Sequence, residues 1–198
     1  MNQKNTIIYF GMGCFTDTDV TVVKQLQKEY SVHWYVLHQP HDPYPVSFYA
    51  DFVKNSGVKL HMLHITNRRR SFKVLELMFK TFTEIVELSP SLIYSCCFDF
   101  YFSLAYLIKA KSIPLVFGVH DVIQHSDNRN SIFYHLSYRF SLFVGDMFLQ
   151  FSSNQNRVFK QLYPKLKSSM VGMSIKDYGE VKGEKHVFNN SNIKILFF

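Results

Sequence analysis

The chain has 198 residues, 47% of them hydrophobic and 17% aromatic, which is enough for one full domain with a real core and excludes a disordered chain. Its formal charge of +7 suits anionic partners, among them nucleotide phosphates, nucleic acid and an anionic membrane face, without choosing between them. No run approaches the ~20 apolar residues of a spanning helix; the best stretch, 94–108, carries Asp99. The start, "MNQKNTIIYFGMG", lacks the apolar length and small-residue cleavage site of a signal peptide. Three cysteines, Cys14, Cys96 and Cys97, form no CxxC pair, a pattern of reducing compartments. These features together point to a cytoplasmic protein.

The first apolar run, "TIIYF" (6–10), predicts a strand, and "GMGCFT" follows it as a glycine turn. Residues 18–29 place Val20, Val23 and Leu26 on one helical face, with Asp17 as the expected N-cap. A second strand is predicted in "VHWYVL" (32–37), then a proline-rich loop, "HQPHDPYP", and a third strand in "VKLHML" (58–63). Residues 71–88 repeat apolar side chains at helical spacing behind Ser71, and the arginines before them, in "NRRRSFKVLELMFK", suit either a solvated turn or an anionic membrane face. Strand "SLIYS" (91–95) leads to a helix at 99–111 capped by Asp99, and strand "PLVFGV" (114–119) stops on His120-Asp121. A helix at 129–144, strand "MFLQF" (147–151), a helix at 154–162 capped by Ser153, and strand "SSMV" (168–171) complete the series.

Strand and helix alternate throughout, and the strands are short and continuous rather than alternating in polarity. That is the pattern of an α/β, Rossmann-like domain: a mostly parallel sheet with helices on both faces. From Gly172 to Asn192 the chain turns polar and Gly/Asn/Ser/Lys-rich, as a linker does, and "IKILFF" (193–198) reads as one more buried strand. The expected organisation is a domain over 1–171, a linker over 172–192, and the first strand of a further domain at 193–198.

Several chemistries lack their residues. The dinucleotide fingerprint needs a third glycine where Thr16 stands, and an acid where the second strand ends in Leu37-His38-Gln39. There is no GxSxG elbow and no lysine-bearing phosphate loop. His38, His41, His61 and His64 have no carboxylate or cysteine cluster to complete a metal site, so no metal and no cofactor are expected. No recognition helix or aromatic RNA motif accompanies the arginines, which argues against nucleic acid. Cys14 follows Gly13 at a helix start but reads as a small buried residue. His120 and Asp121 remain. They end a central strand, at the edge where open α/β sheets bind ligands, although a polar strand terminus would look the same.

The order of these motifs resembles the N-terminal domain of GT-B-fold glycosyltransferases, in particular the family 4 group. The resemblance is carried by "IIYFGMG", by "IPLVFGVHD", by "DMFLQFSSNQNRVFKQLY" with Ser152 or Ser153 at the family's serine, and by "SSMVGMSIKDYGE" ahead of "NIKILFF". It implies the acceptor-side half of a two-domain enzyme that moves a sugar from a nucleotide-sugar donor to a glycan or lipid-linked acceptor. Retention of configuration without a metal is implied. The basic and aromatic composition also suits a lipid-linked acceptor and peripheral contact with the inner face of a membrane. His120 would contact the donor sugar, and Gly11, Met12, Gly13, Asp121 and Ser153 would line the donor or acceptor site. On this reading the chain stops before the donor half and is inactive alone. The alternative is a non-catalytic Rossmann-like module that binds a phosphorylated ligand or a protein.

Overall fold

The computed structural model describes residues 4–54, 56–66, 68, 70–123 and 132–172. The linker beyond Gly172 and the strand expected at 193–198 lie outside them.

Seven strands form one sheet: β1 (Thr6–Met12), β2 (Ser31–His38), β3 (Lys59–His64), β4 (Leu92–Ser95), β5 (Leu115–Val119), β6 (Met147–Gln150) and β7 (Ser168–Met170). All pair in parallel, in the order β3-β2-β1-β4-β5-β6-β7. Each of the seven strands expected between Thr6 and Val171 is present. The helices are α1 (Thr16–Leu26), α2 (Val46–Lys54), α3 (Phe72–Glu87), α4 (Phe100–Lys109), α5 (Ile132–Val144) and α6 (Ser153–Leu162), with a short 3₁₀ turn at Gly13–Phe15 before α1.

The sheet grows outward from β1 through β2 to β3, then jumps back to β4 and grows the other way. Right-handed crossovers therefore put α1 and α2 on one face and the later helices on the other. The two cores follow this division. Val23 of α1 and Tyr49 of α2 pack on Tyr9, Val32, Trp34 and Val36. On the opposite face α3, α4, α5 and α6 contribute Phe82, Phe102, Tyr138 and Phe159 to a larger core with Phe10, Phe117 and Phe148. Alternate residues of β1 and β2 enter alternate cores, which is why these strands read as continuous apolar runs.

Three details differ from expectation. α2 is not among the expected helices; it follows directly on the proline-rich loop, and Pro45 precedes its first residue, where proline favours a helix start rather than breaking one. Residue Phe15, not Asp17, occupies the N-cap of α1, because the 3₁₀ turn lets the helix begin earlier. For α6 the N-cap is Ser152, whose hydroxyl accepts from the Gln155 N–H at 3.2 Å; Ser153 is the first helical residue. Asp99 caps α4 as expected, accepting from the Tyr101 and Phe102 N–H groups. Ser71 sits at the N-cap of α3, but its hydroxyl makes no capping bond. Substituting the two serines separately tests the shifted cap. Ser152→Ala should cost about 1 kcal/mol in chemical denaturation and Ser153→Ala only a few tenths; equal losses would return the cap to Ser153.

Candidate active site

The chain reverses its direction of growth between β1 and β4, and the C-terminal edge there is where an open α/β sheet leaves a crevice. A cavity of about 280 Å³ occupies that place. Its floor is the strand ends: Met12 of β1, Cys96 after β4, and Gly118 and Val119 of β5, with His120 and Asp121 following. Its walls come from the 3₁₀ turn (Cys14, Phe15), the start of α4 (Phe98 to Tyr101) and the first turns of α5 (Phe133, Ser137, Tyr138), with Arg70 closing one side.

His120 is held by rings. Phe15 stacks on it at 4.6 Å between centroids with planes 7° apart, and Phe151 lies on it at 4.7 Å. Burial lowers its pKa below the ordinary histidine value, and the Asp121 carboxylate opposes that shift without cancelling it. At neutral pH the imidazole is therefore neutral, with one nitrogen able to donate a hydrogen bond and the other to accept one.

Tyr138 supplies a second polar group. Its ring packs on Phe98, and it is 5% exposed. Its hydroxyl has no hydrogen-bond partner among the described residues. Burial pushes the phenol pKa up, so it stays an O–H donor. A buried unpaired hydroxyl costs about 1–3 kcal/mol, and one that lines a cavity can recover this by bonding to a ligand. Arg70 spans the rim: its guanidinium lies 4.2 Å from the Phe133 ring centroid, and the Tyr101 hydroxyl donates to its backbone carbonyl at 3.0 Å. The surroundings are mostly aromatic, so a bound ring would meet flat apolar faces and a few fixed polar groups, the usual make-up of a small-molecule site.

The residues proposed from the sequence divide into two sets. His120, Asp121 and Met12 line the cavity together. Gly11, Gly13 and Ser153 are not among its walls. Gly11 lies within β1, where a Cβ would run into the Asp19 carboxylate and approach the Trp34 indole nitrogen; at Gly13 a Cβ would strike Asp42. Their bare backbones make room for carboxylates of this same chain, the buried Asp19 and the half-buried Asp42. Ser153 opens α6 on the surface. Cys14, read as a buried residue, is exposed and borders the cavity, because the 3₁₀ turn rotates it out of the core. Tyr138 and Arg70 were not singled out. Tyr138 carries no signal beyond its position on the buried stripe of α5, and Arg70 is one of three adjacent arginines.

The histidines on β2 and β3 are packed against neighbouring side chains. His61 stacks on Tyr35 at 4.1 Å and lies 3.1 Å from His33, nitrogen to nitrogen. His38 bonds to the Tyr44 carbonyl. Among the described residues no three metal-ligating side chains cluster.

No family model matches the chain, and no curated protein matches it. Solved structures do. A UDP-GlcNAc 2-epimerase from Neisseria meningitidis, bound to UDP-GlcNAc, superposes with a TM-score of 0.57 at 12% identity, over 85% of this chain and 46% of the other. A lipopolysaccharide outer core galactosyltransferase, WaaB, gives 0.57 at 14% identity over 84% and 45%. MurG from Acinetobacter baumannii gives 0.54 at 13% identity over 88% and 46%. The fold is GT-B-like. The chain spans under half the length of these structures, and it matches one Rossmann-like half of a GT-B architecture. At these identities the likeness concerns the fold alone. No helix among the described residues is long and apolar enough to cross a membrane.

Proposed function

We propose that this chain is the acceptor-side half of a cytoplasmic glycosyltransferase that moves a sugar from a nucleotide-sugar donor to a glycan or lipid-linked acceptor with retention of configuration. The observation that carries this reading is the cavity at the β1/β4 switch point, where neutral His120 and the Tyr138 hydroxyl, without a hydrogen-bond partner among the described residues, share an aromatic chamber large enough for a sugar ring. Aromatic faces suit the apolar C–H faces of a pyranose, and the two polar groups suit its hydroxyls.

Glycosyl transfer builds positive charge at the anomeric carbon and negative charge on the departing diphosphate. Hydrogen bonds fixed in advance and aimed at those atoms lower the barrier without reorganising in the step. His120 then holds a sugar hydroxyl at the reaction centre and Tyr138 orients the acceptor. The donor's nucleotide is held by a second half outside this chain. In front-side retention the acceptor hydroxyl passes its proton to the departing diphosphate as the new glycosidic bond forms and the old one breaks, so Asp121 serves as a neighbour of His120 rather than as a base.

The epimerase likeness favours a second reading, interconversion of the nucleotide-sugar itself. Incubating the complete gene product with nucleotide-sugars separates the two. Nucleoside diphosphate released only when a glycan or lipid-linked acceptor is present supports transfer. Conversion of the sugar without an acceptor supports epimerisation, and binding without either reaction leaves a non-catalytic module. The 198-residue chain alone is expected to turn over none of these donors.

A further inference from the structure

Asp19, buried on α1, takes no part in lining the cavity, yet hydrogen bonds join it to the cavity floor. It accepts the Tyr9 hydroxyl at 2.7 Å, and Tyr9 is bonded in turn to the hydroxyl of Tyr94, whose ring lies 4.9 Å away between centroids. The Tyr94 hydroxyl is 3.2 Å from the Cys96 sulfur, and Cys96 lies on the cavity floor. Gly118 of β5 leaves the space for the far end of this chain of bonds. A Cβ there would strike the Tyr94 hydroxyl and stand 2.9 Å from the Cys96 sulfur.

The charge on Asp19 sets the direction of these bonds. An ionised carboxylate only accepts, so Tyr9 donates to it, Tyr94 donates to Tyr9 and Cys96 donates to Tyr94; the sulfur then turns a lone pair to the cavity. A protonated Asp19 carries its hydrogen on Oδ1, toward Tyr9. The Oδ2 side does not receive it: a Cβ on Gly11 would meet both Oδ2 and the Trp34 indole nitrogen, and an indole N–H only donates. Oδ1–H then donates to Tyr9, each hydroxyl turns its own hydrogen one step onward, and the Cys96 S–H points into the cavity. One proton is taken up from solvent, at Asp19, and every other hydrogen stays on its own atom. The titratable groups facing Asp19 are Asp17 on its own helix, Tyr9 on β1, Tyr94 on β4, Cys96 after it, and Tyr49 on α2, with no cation among them. Burial, with Asp17 adding to it and the Tyr9 bond opposing, holds the Asp19 pKa up at about 7, so both states are populated near neutral pH.

We propose that Asp19 is a positioning residue for the cavity: through the hydroxyls of Tyr9 and Tyr94, its protonation state decides whether Cys96 offers an occupant a sulfur lone pair or an S–H donor. A sugar hydroxyl meets either state, because it both donates and accepts. A carbonyl oxygen, such as that of an acetamido substituent, is met only by the S–H. The floor at Cys96 therefore tells these two substituents apart by pH, with the acetamido group held less well once Asp19 has ionised. Thiol hydrogen bonds are weak, so the discrimination is a few-fold. This consequence for a sugar substituent rests on the proposed function; the coupling of Asp19 to Cys96 does not.

The test is infrared spectroscopy of the S–H stretch in the reduced 198-residue chain, carrying Cys14→Ser so that the exposed thiol adds no band. The difference from the same chain with Cys96→Ser isolates the Cys96 band. The expected result is one band position at acid pH and another at alkaline pH, with the step centred where Asp19 ionises, at about 7. Asp19→Asn keeps a carbonyl toward Tyr9 and cannot ionise, so it should hold the band at its alkaline position throughout. Tyr94→Phe should abolish the step while the Asp19 carboxyl band still titrates. Tyr9→Phe interrupts the same bonds and serves if Tyr94→Phe disturbs folding. A Cys96 band that ignores pH in the parent chain, or still moves in Asp19→Asn, overturns the proposal. So does a step that survives both phenylalanine variants, since Asp19 would then act on the sulfur through its field alone. These outcomes leave the transferase reading standing, because no donor or acceptor is present.

Discussion

On the proposed transferase reading, His120→Phe in the full gene product should cut turnover by roughly two to three orders of magnitude while leaving thermal stability within about 1 kcal/mol of wild type. The reasoning begins with what holds the side chain. Phe15 stacks on the imidazole almost face to face, and Phe151 covers it from another side. A phenyl ring keeps both contacts, each worth about 0.5–1.5 kcal/mol beyond area burial. It also avoids the desolvation that already lowers the histidine's pKa. What it removes is the nitrogen pair, and with it any hydrogen bond to a sugar hydroxyl or to developing charge. His120→Ala is the weaker experiment, since it deletes the ring contacts together with the hydrogen bonds and should cost about 1–3 kcal/mol of stability as well. Steady-state kinetics and melting curves on both variants decide the matter. Turnover that survives in the phenylalanine variant and falls only in the alanine variant would make His120 a packing residue and sink its catalytic assignment.

The sheet was readable because each strand is a short apolar run bounded by polar or glycine-bearing segments, and the α/β alternation dictates parallel pairing. His120 and Asp121 were readable for the same reason: a strand's last residues must lie at its C-terminal edge. α2 was not, since two of its flanking prolines look like loop chemistry and its apolar face is only nine residues long. The glycine turn misled for a different reason. Gly11 and Gly13 stand where a phosphate loop would, but the demand on them comes from Asp19 and Asp42, eight and 29 positions away, which no local pattern reveals. Tyr138 and Arg70 reach the cavity through the packing of α5 against α4 and through the turn before α3, and such proximities are tertiary. The exposed stripe of α5 is a further case. Its apolar content reads as core until the fold shows that Ser137, Tyr138, Ser141 and Leu142 face inward and Ile132, Leu136 and Phe143 do not.

Asp19→Asn should convert a flat pH-stability profile into one that climbs by roughly 2–3 kcal/mol between about pH 4 and about pH 7. Asp19 lies 2% exposed under β1 and accepts the Tyr9 hydroxyl at 2.7 Å. Burial is the main cause that raises its pKa to about 7; Asp17 adds to it and the Tyr9 bond opposes it. A carboxyl with a raised folded pKa stabilises fully below its unfolded value near 4, and that stability drains away as pH rises through 7. His33, 4% exposed, titrates the other way. Desolvation, then Lys59 and His61, bring its pKa down to about 4 from 6.5, and His61 is lowered as well. A base with a lowered folded pKa leaves stability intact above 6.5 and loses it as pH falls toward 4. The two windows overlap almost completely with opposite signs, so the wild type should change by less than about 1 kcal/mol across them. Asparagine keeps a carbonyl to receive Tyr9 and cannot ionise, which leaves the histidine slope alone. Urea unfolding of both proteins at several pH values measures it, and the difference between them isolates Asp19 because the histidines are common to both. Parallel profiles would mean that Asp19 ionises in the folded protein at an ordinary carboxylate pH and that the carboxylate beneath Gly11 is solvated.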